Sequence, residues 1–95
     1  LTWSAISTGT TAASKNGYLC NTTGGAFTLT LPLAPTVGDT VAVVDAAGTF
    51  QTNALTIGRN SQPIMGSATD MTVSTQYASF TLVYQGATNG WRIFQ

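Results

Sequence analysis

Alternation of apolar and polar residues with a period of two is the feature that most limits what this chain can fold into. Residues 26–31 read Ala-Phe-Thr-Leu-Thr-Leu, which places Phe27, Leu29 and Leu31 on one face of a strand. No window shows the 3.6-residue periodicity of an amphipathic helix. Threonine, which is β-branched and favours pleated strands over helices, occurs eighteen times. The pattern therefore predicts an all-β fold with almost no helix.

Strand patterns occur in seven segments, which Gly, Pro, Asn and Asp turns separate. The segments are 17–22, 26–31, 40–45, 55–57, 71–74, 77–85 and 91–94. Turns at this spacing predict seven or more strands in an antiparallel β-sandwich or a compact β-barrel. Thr23-Gly24-Gly25 predicts a hairpin between the first two segments, and Asn89-Gly90 predicts one between the last two. The segment 40–45 is apolar on both faces, which predicts a central strand.

The alternation also predicts the core. Its expected members are Phe27, Leu29, Val43, Leu55, Ile57, Phe80 and Leu82. Three segments look alike, beginning at Ala26, Ala54 and Ala78. Their spacing is irregular, which favours independent strands over a solenoid repeat.

Length and charge narrow the function classes. Ninety-five residues allow one domain with a modest core. Charged residues make up only 6% of the chain, against roughly 25% in soluble domains, and the net charge is zero. Three scattered cations cannot form the basic patch that nucleic acid requires, and no apolar run approaches the ~20 residues that membrane insertion needs. A chain with so little charge fits a role inside an assembly.

Catalytic and metal-binding chemistry has few candidate residues. The chain has no His and no Glu, so a serine or cysteine nucleophile would lack its usual base. Cys20 stands alone in an apolar stretch and is expected to be a buried, inert thiol. Asp39 and Asp45 are expected to cap turns, while Asp70 could cap a turn, pair with Arg59 or ligate calcium. The expectation is a non-enzyme with no cofactor and no metal site.

The order of several motifs resembles a known family. The motifs are Asn21-Thr-Thr-Gly-Gly-Ala-Phe-Thr-Leu-Thr-Leu-Pro, Gly38-Asp-Thr-Val-Ala-Val-Val-Asp, Asn53-Ala-Leu-Thr-Ile-Gly-Arg-Asn, Gly66-Ser-Ala-Thr-Asp-Met-Thr-Val and Gly90-Trp-Arg. This succession, over residues 11–94, is similar to modules of bacteriophage tail fibres and other virion structural proteins. The resemblance implies a compact β-module on the extracellular virion, often trimeric, that serves host attachment, and it does not imply an enzymatic activity. Residues 11–95 would form the single β-sandwich module, and residues 1–10 a linker or a preceding strand.

Recognition of a host cell-surface glycan or protein receptor is the alternative to a purely structural role. Lectin-type sites stack a sugar on an exposed aromatic ring beside polar side chains. Two aromatic residues with glutamine neighbours are candidates, Phe50 with Gln51 and Tyr77 with Gln76. The irregular loop 58–68 adds two more candidate contacts. These are Arg59 and Asn60. Trp91 is expected in the core or in a subunit interface.

Self-association as a parallel homotrimer is expected from the small number of charges, the apolar positions on both faces of 40–45 and the resemblance to fibre modules. Ala42 and Val44 can face a second sheet only if Val41 and Val43 face something else. A neighbouring subunit would meet that need and would add to a small core. A loop of the same chain that caps the sheet is the alternative.

Overall fold

The computed structural model describes every residue from Leu1 to Gln95 and consists of strands, turns and loops. Nine strands follow one another along the chain: β1 (Thr2–Ile6), β2 (Thr10–Thr11), β3 (Asn16–Cys20), β4 (Phe27–Thr30), β5 (Thr40–Asp45), β6 (Leu55–Gly58), β7 (Met71–Val73), β8 (Ser79–Tyr84) and β9 (Trp91–Phe94). The prediction of an all-β fold is confirmed. The structure has no helix with the length and apolar character that crossing a membrane requires.

The strands form two mixed sheets. One sheet has five strands in the order β1-β3-β5-β8-β9, and the other has four in the order β2-β4-β6-β7. Parallel pairing joins β1 to β3, β3 to β5, β2 to β4 and β4 to β6. Only the pairs β5–β8, β6–β7 and β8–β9 are antiparallel. The prediction of an antiparallel arrangement is therefore wrong for the four pairs formed among the first six strands.

Those six strands alternate between the two sheets, so each pair of consecutive strands makes one coil, and the coils stack in parallel. The first coil is β1 with β2, the second β3 with β4, and the third β5 with β6. Thr23-Gly24-Gly25 consequently carries the chain from one sheet to the other, and the hairpin predicted there does not exist. The Asn89-Gly90 hairpin is confirmed, since β8 and β9 pair as antiparallel neighbours.

Two of the three look-alike segments are stacked neighbours. Phe27 pairs with Leu55 and Leu29 with Ile57 across the parallel strands β4 and β6. Identical alternation places like residues over one another in successive coils, as in a solenoid. The third segment contributes β8 and lies in the other sheet. The expectation of independent strands is thus corrected for the first two segments.

One hydrophobic core unites the inward faces of both sheets. Of the seven expected core residues, Leu29, Val43, Leu55, Ile57 and Leu82 are fully buried, Phe80 is 9% exposed, and Phe27 is half-buried against the cluster. Trp91 is also fully buried, with its ring centroid 5.4 Å from that of Tyr84. Each large apolar side chain that is fully buried contributes about 1.5–3 kcal/mol to stability.

The central position predicted for residues 40–45 is confirmed, because β5 lies between β3 and β8. Val41 and Val43 are fully buried and belong to the core cluster. Side chains alternate along a strand, so Ala42 and Val44 lie on the opposite face of the sheet. This surface, which points away from the second sheet, is called the outer face below.

Candidate functional site

A single cross-strand row crosses the outer face from one edge of the sheet to the other. The register pairs Trp3 with Gly17, Gly17 with Ala42, Ala42 with Thr81, and Thr81 with Phe94. The row has an aromatic ring at each end and small side chains between them. Along this row the outer face therefore forms a shallow trough with an aromatic ring at each end.

Trp3 lies flat on the sheet because its row neighbour has no side chain. A Cβ atom on Gly17 would lie 2.5 Å from atoms of the indole ring, so the ring occupies the space that a larger residue would fill. Ala42, next in the row, is only 4% exposed although it points outward. A groove of about 340 Å³ lies beside the ring of Trp3, and its lining includes Ala42, Val44 and Thr81. The amino-terminal strand thus covers part of the outer face and leaves a groove beside it.

The rest of the outer face exposes large apolar side chains. Trp3 is 46% exposed, Leu19 37% and Phe94 49%. Among the strand residues of this face, Arg92 is the one charged residue. Apolar surface with aromatic anchors and little charge is typical of the buried centre of a protein interface.

A second candidate site is built around Asp45, at the end of β5. Its side chain is 2% exposed, and its two oxygens accept three backbone N–H groups. Thr49 donates to Oδ1 at 3.1 Å, while Phe50 and Tyr77 donate to Oδ2 at 3.1 and 2.9 Å. The turn role predicted for Asp45 is confirmed, and the same carboxylate also ties a loop 32 residues away to that turn.

That connection presents the ring of Tyr77 at the surface. The residue has a positive φ of 58°, an unusual conformation for a side chain of this size, and is 67% exposed. Its ring packs over Gly48, where a Cβ atom would collide with it. Gln76 donates through Nε2 to the carbonyl of Gly48 at 3.4 Å. Tyr77 and Gln76 therefore form an aromatic and polar pair held in place by the turn after β5.

The other candidate contacts are distributed differently from what the sequence predicts. Phe50 is fully buried and belongs to the core, so its predicted role as a surface contact is wrong. Its neighbour Gln51 is exposed in the loop that Asp45 organises. Arg59 and Asn60 follow β6, whereas Gln51 precedes it, so the four-residue strand separates the two groups.

Arg59 and Asn60 are engaged in holding their own loop. The amide of Asn60 donates to the carbonyl of Leu31 at 2.9 Å. The backbone N–H of Arg59 donates to Asp70 Oδ1 at 2.9 Å, so Asp70 bonds to Arg59 through the backbone, across 11 positions of the chain. The guanidinium of Arg59 contacts the carbonyl of Gln62 at 3.5 Å. These bonds favour a structural role for both residues.

The remaining titratable groups have structural surroundings. Asp39 accepts from the backbone N–H of Thr36 at 2.9 Å, and this bond holds the pKa of the Asp39 carboxyl below its usual value. Burial, with a smaller contribution from Asp45, raises the pKa of the Cys20 thiol to about 12. Cys20 is fully buried, which confirms the prediction of a buried thiol. His, Cys, Asp and Glu side chains form no group of three that could hold a metal ion.

A second groove of about 340 Å³ lies where β7 approaches β8 and β9. Its apolar lining comes from Met71, Val73, Phe80 and Ile93. Its polar lining comes from hydroxyl-bearing side chains and from Gln95. No charged side chain lines it. The groove offers apolar contact without an acid or a base.

Comparison of the sequence with protein-family models and with curated proteins finds no match. The features of the structure that bear on function are the outer face of the five-stranded sheet and the surroundings of Tyr77.

Proposed function

We propose that this chain is a structural and host-interaction module of a bacteriophage tail fibre or another virion appendage. It works as a homotrimer on the extracellular virion and catalyses no reaction. The observation that carries the proposal is the outer face, where Trp3, Leu19 and Phe94 remain between 37% and 49% exposed. The order of sequence motifs, which resembles that of phage fibre modules, supplies the biological setting.

A neighbouring subunit fits the outer face better than water does. Trp3 and Phe94 stand at opposite ends of a row whose middle members are small, so aromatic groups of a partner can enter the trough between them. Burial of the outer face desolvates one strand cation, Arg92, together with the amide of Gln95 and apolar and hydroxyl groups. Aromatic residues at a desolvated centre are the usual source of binding energy in interfaces.

The alternative, in which a segment of the same chain caps the outer face, accounts for a part of it. Trp3 covers Gly17, while Leu19 and Phe94 remain 37% and 49% exposed. The part of the outer face that Trp3 does not cover forms the interface between subunits. We further infer that the two open sheets pack as a β-sandwich, because each ends in two distinct edge strands instead of closing into a barrel.

Sedimentation equilibrium at tens of micromolar tests the assembly. The expected mass is a multiple of three times the 9.8 kDa chain mass. Leu19→Thr combined with Phe94→Thr should abolish the threefold association, since both changes remove apolar area from the outer face. Leu33→Thr is the matched control, because Leu33 is 72% exposed in the loop between β4 and β5, outside the strands of the outer face, and its substitution should leave the mass unchanged. A threefold mass that survives the double substitution contradicts the assigned interface.

A glycan-binding role is the second candidate, and the Tyr77 ring favours it. The ring is 67% exposed and rests on Gly48, so it offers a flat apolar surface to a sugar with Gln76 beside it. A glycan array with the labelled chain should detect bacterial surface glycans, and Tyr77→Ala should remove that signal. Val37→Ala, which changes another exposed apolar residue, should retain it. An array with no signal above background excludes this candidate and leaves the structural role intact.

A further inference from the structure

The four edges of the two sheets are protected to very different degrees. In the five-stranded sheet the β9 edge is covered, because Trp91 donates to Pro63 and accepts from Met65 through its backbone. In the four-stranded sheet the edge strands β2 and β7 are only two and three residues long. Short or covered edges are the usual means by which proteins avoid pairing with other chains.

The β1 edge has none of these protections. It is five residues long, with the sequence Thr-Trp-Ser-Ala-Ile, and it contains no charged residue and no proline. Residues 2–5 are exposed, and only Ile6 packs against the core. An edge with these properties is a template for an additional strand.

Trp3 and Ala5 supply the free backbone groups. Thr2 donates to Lys15 and Ile6 accepts from Asn21, so these two residues direct their backbone groups toward β3. In a parallel ladder, residues that bond to one neighbour alternate with residues that face the other side. The N–H and C=O groups of Trp3 and Ala5 therefore point away from the sheet, on either side of Ser4.

We propose that β1 pairs antiparallel with β1 of a second copy of this chain, across a twofold axis that passes through Ser4. Trp3 of each copy then bonds Ala5 of the other, which gives a symmetric set of four backbone hydrogen bonds. On the outer face each indole ring lies beside the small side chain of the partner's Ala5. The uncharged strand meets its own copy without repulsion between like charges.

The second sheet is compatible with this pairing. The strands β1 and β2 form the first coil, so both sheets are open at the same end of the stack. A twofold axis perpendicular to the sheets continues each sheet into the matching sheet of the partner. The axis lies at the β1 edge of the stack, so the contact includes only the margin of the outer face, at Trp3 and Ala5. The edge pairing does not require the threefold interface proposed above. If both contacts form, the edge pairing joins two trimers end to end.

Ala5→Pro tests the pairing directly. Proline at this position removes an N–H group that β3 does not use, and edge strands tolerate proline where the N–H faces solvent. The variant should halve the mass that the wild-type chain shows in sedimentation equilibrium. Ala5→Thr retains the N–H group and is the matched control, so its mass should equal that of the wild type. A folded Ala5→Pro chain with the wild-type mass overturns the proposal.

The same measurement separates this proposal from the threefold interface. If both contacts form, the wild type contains six chains, Ala5→Pro three, and the Leu19→Thr, Phe94→Thr chain two. A wild-type mass of three chains that Ala5→Pro leaves unchanged overturns the edge pairing and supports the trimer. A wild-type mass of two chains that falls to one in Ala5→Pro supports the edge pairing and overturns the trimer.

Amide hydrogen exchange gives a readout that needs no variant. The Trp3 and Ala5 amides should exchange more slowly at high than at low chain concentration, because pairing depends on mass action. The Ser4 amide, which faces β3, should be protected at both concentrations. Fast exchange of Trp3 and Ala5 at every concentration overturns the proposal.

Discussion

Replacement of Asp45 by Asn tests the account of how the chain positions its exposed tyrosine. The carboxylate is 2% exposed and accepts the backbone N–H groups of Thr49, Phe50 and Tyr77. Asparagine has nearly the same shape but only one acceptor oxygen. The substitution therefore removes acceptor capacity without opening a cavity.

The size of the expected loss of stability follows from the arrangement of the three hydrogen bonds to Asp45. Asparagine can keep its oxygen at the Oδ2 position, where Phe50 and Tyr77 both donate. Its amide group then faces the N–H of Thr49, so two donors meet and one buried N–H loses its partner. A hydrogen bond to a charged group contributes about 1.5–3 kcal/mol, and the two bonds that remain become neutral. The expected loss of unfolding free energy is about 2–4 kcal/mol, a large share of the roughly 5–14 kcal/mol typical of a chain this long.

Urea unfolding at neutral pH, followed by tryptophan fluorescence, measures that loss. Asp39→Asn is the matched control, since Asp39 caps a turn at the surface and its loss should be smaller. Proteolysis near Tyr77 should also become faster in Asp45→Asn, because the bond that ties this loop to β5 is weakened. A loss below about 1 kcal/mol, or one equal to that of Asp39→Asn, would show that the three bonds to Asp45 do not stabilise the fold as described.

Three further outcomes follow from burial and from the pKa shifts. Leu82→Ala should cost about 2–5 kcal/mol because Leu82 is fully buried, whereas Leu33→Ala, at a residue 72% exposed, should be nearly neutral in the same urea assay. The Cys20 thiol, with its pKa raised to about 12, should not react with Ellman's reagent at pH 8 until the chain is unfolded; rapid reaction of the native chain would place it at the surface. The pKa of Asp39 is lowered in the folded chain, so its stabilising effect is present above the unfolded value of about 3.9 and is lost as the pH falls through the folded value. The stability difference between wild type and Asp39→Asn should accordingly vanish in acid, and a difference that grows with acidity would contradict this sign.

Local pattern predicted seven of the nine strands and most of the core face, whereas β1 and β2 begin in the segment 1–10 that was expected to be a linker or a preceding strand. Residues 40–45 and 91–94 are strands with the predicted bounds, and Leu82 lies inward as the alternation indicates. Alternation records which face of a strand is apolar. It does not record which strand lies beside it, so the parallel pairing of β3 with β5, whose paired residues are 25 positions apart, left no local signal.

The site was predictable only in part for the same reason. Tyr77 could be singled out from its glutamine neighbour, but its support comes from Asp45, 32 residues earlier in the chain. Phe50 has a similar neighbourhood in sequence and lies in a turn, where no alternation distinguishes a buried residue from an exposed one. The contact of Trp3 with Gly17 could not be predicted from the sequence, because it depends on the register of β1 with β3.

The outer face of the five-stranded sheet is proposed to be an interface between subunits, and the mass of the chain in solution shows whether that interface forms. Sedimentation equilibrium of the wild-type chain at tens of micromolar should give three times the 9.8 kDa chain mass, or six times if the β1 edges also pair. The mass of the Leu19→Thr, Phe94→Thr double variant should be one third of the wild-type mass. A clean 9.8 kDa monomer of the wild-type chain at these concentrations would contradict the account.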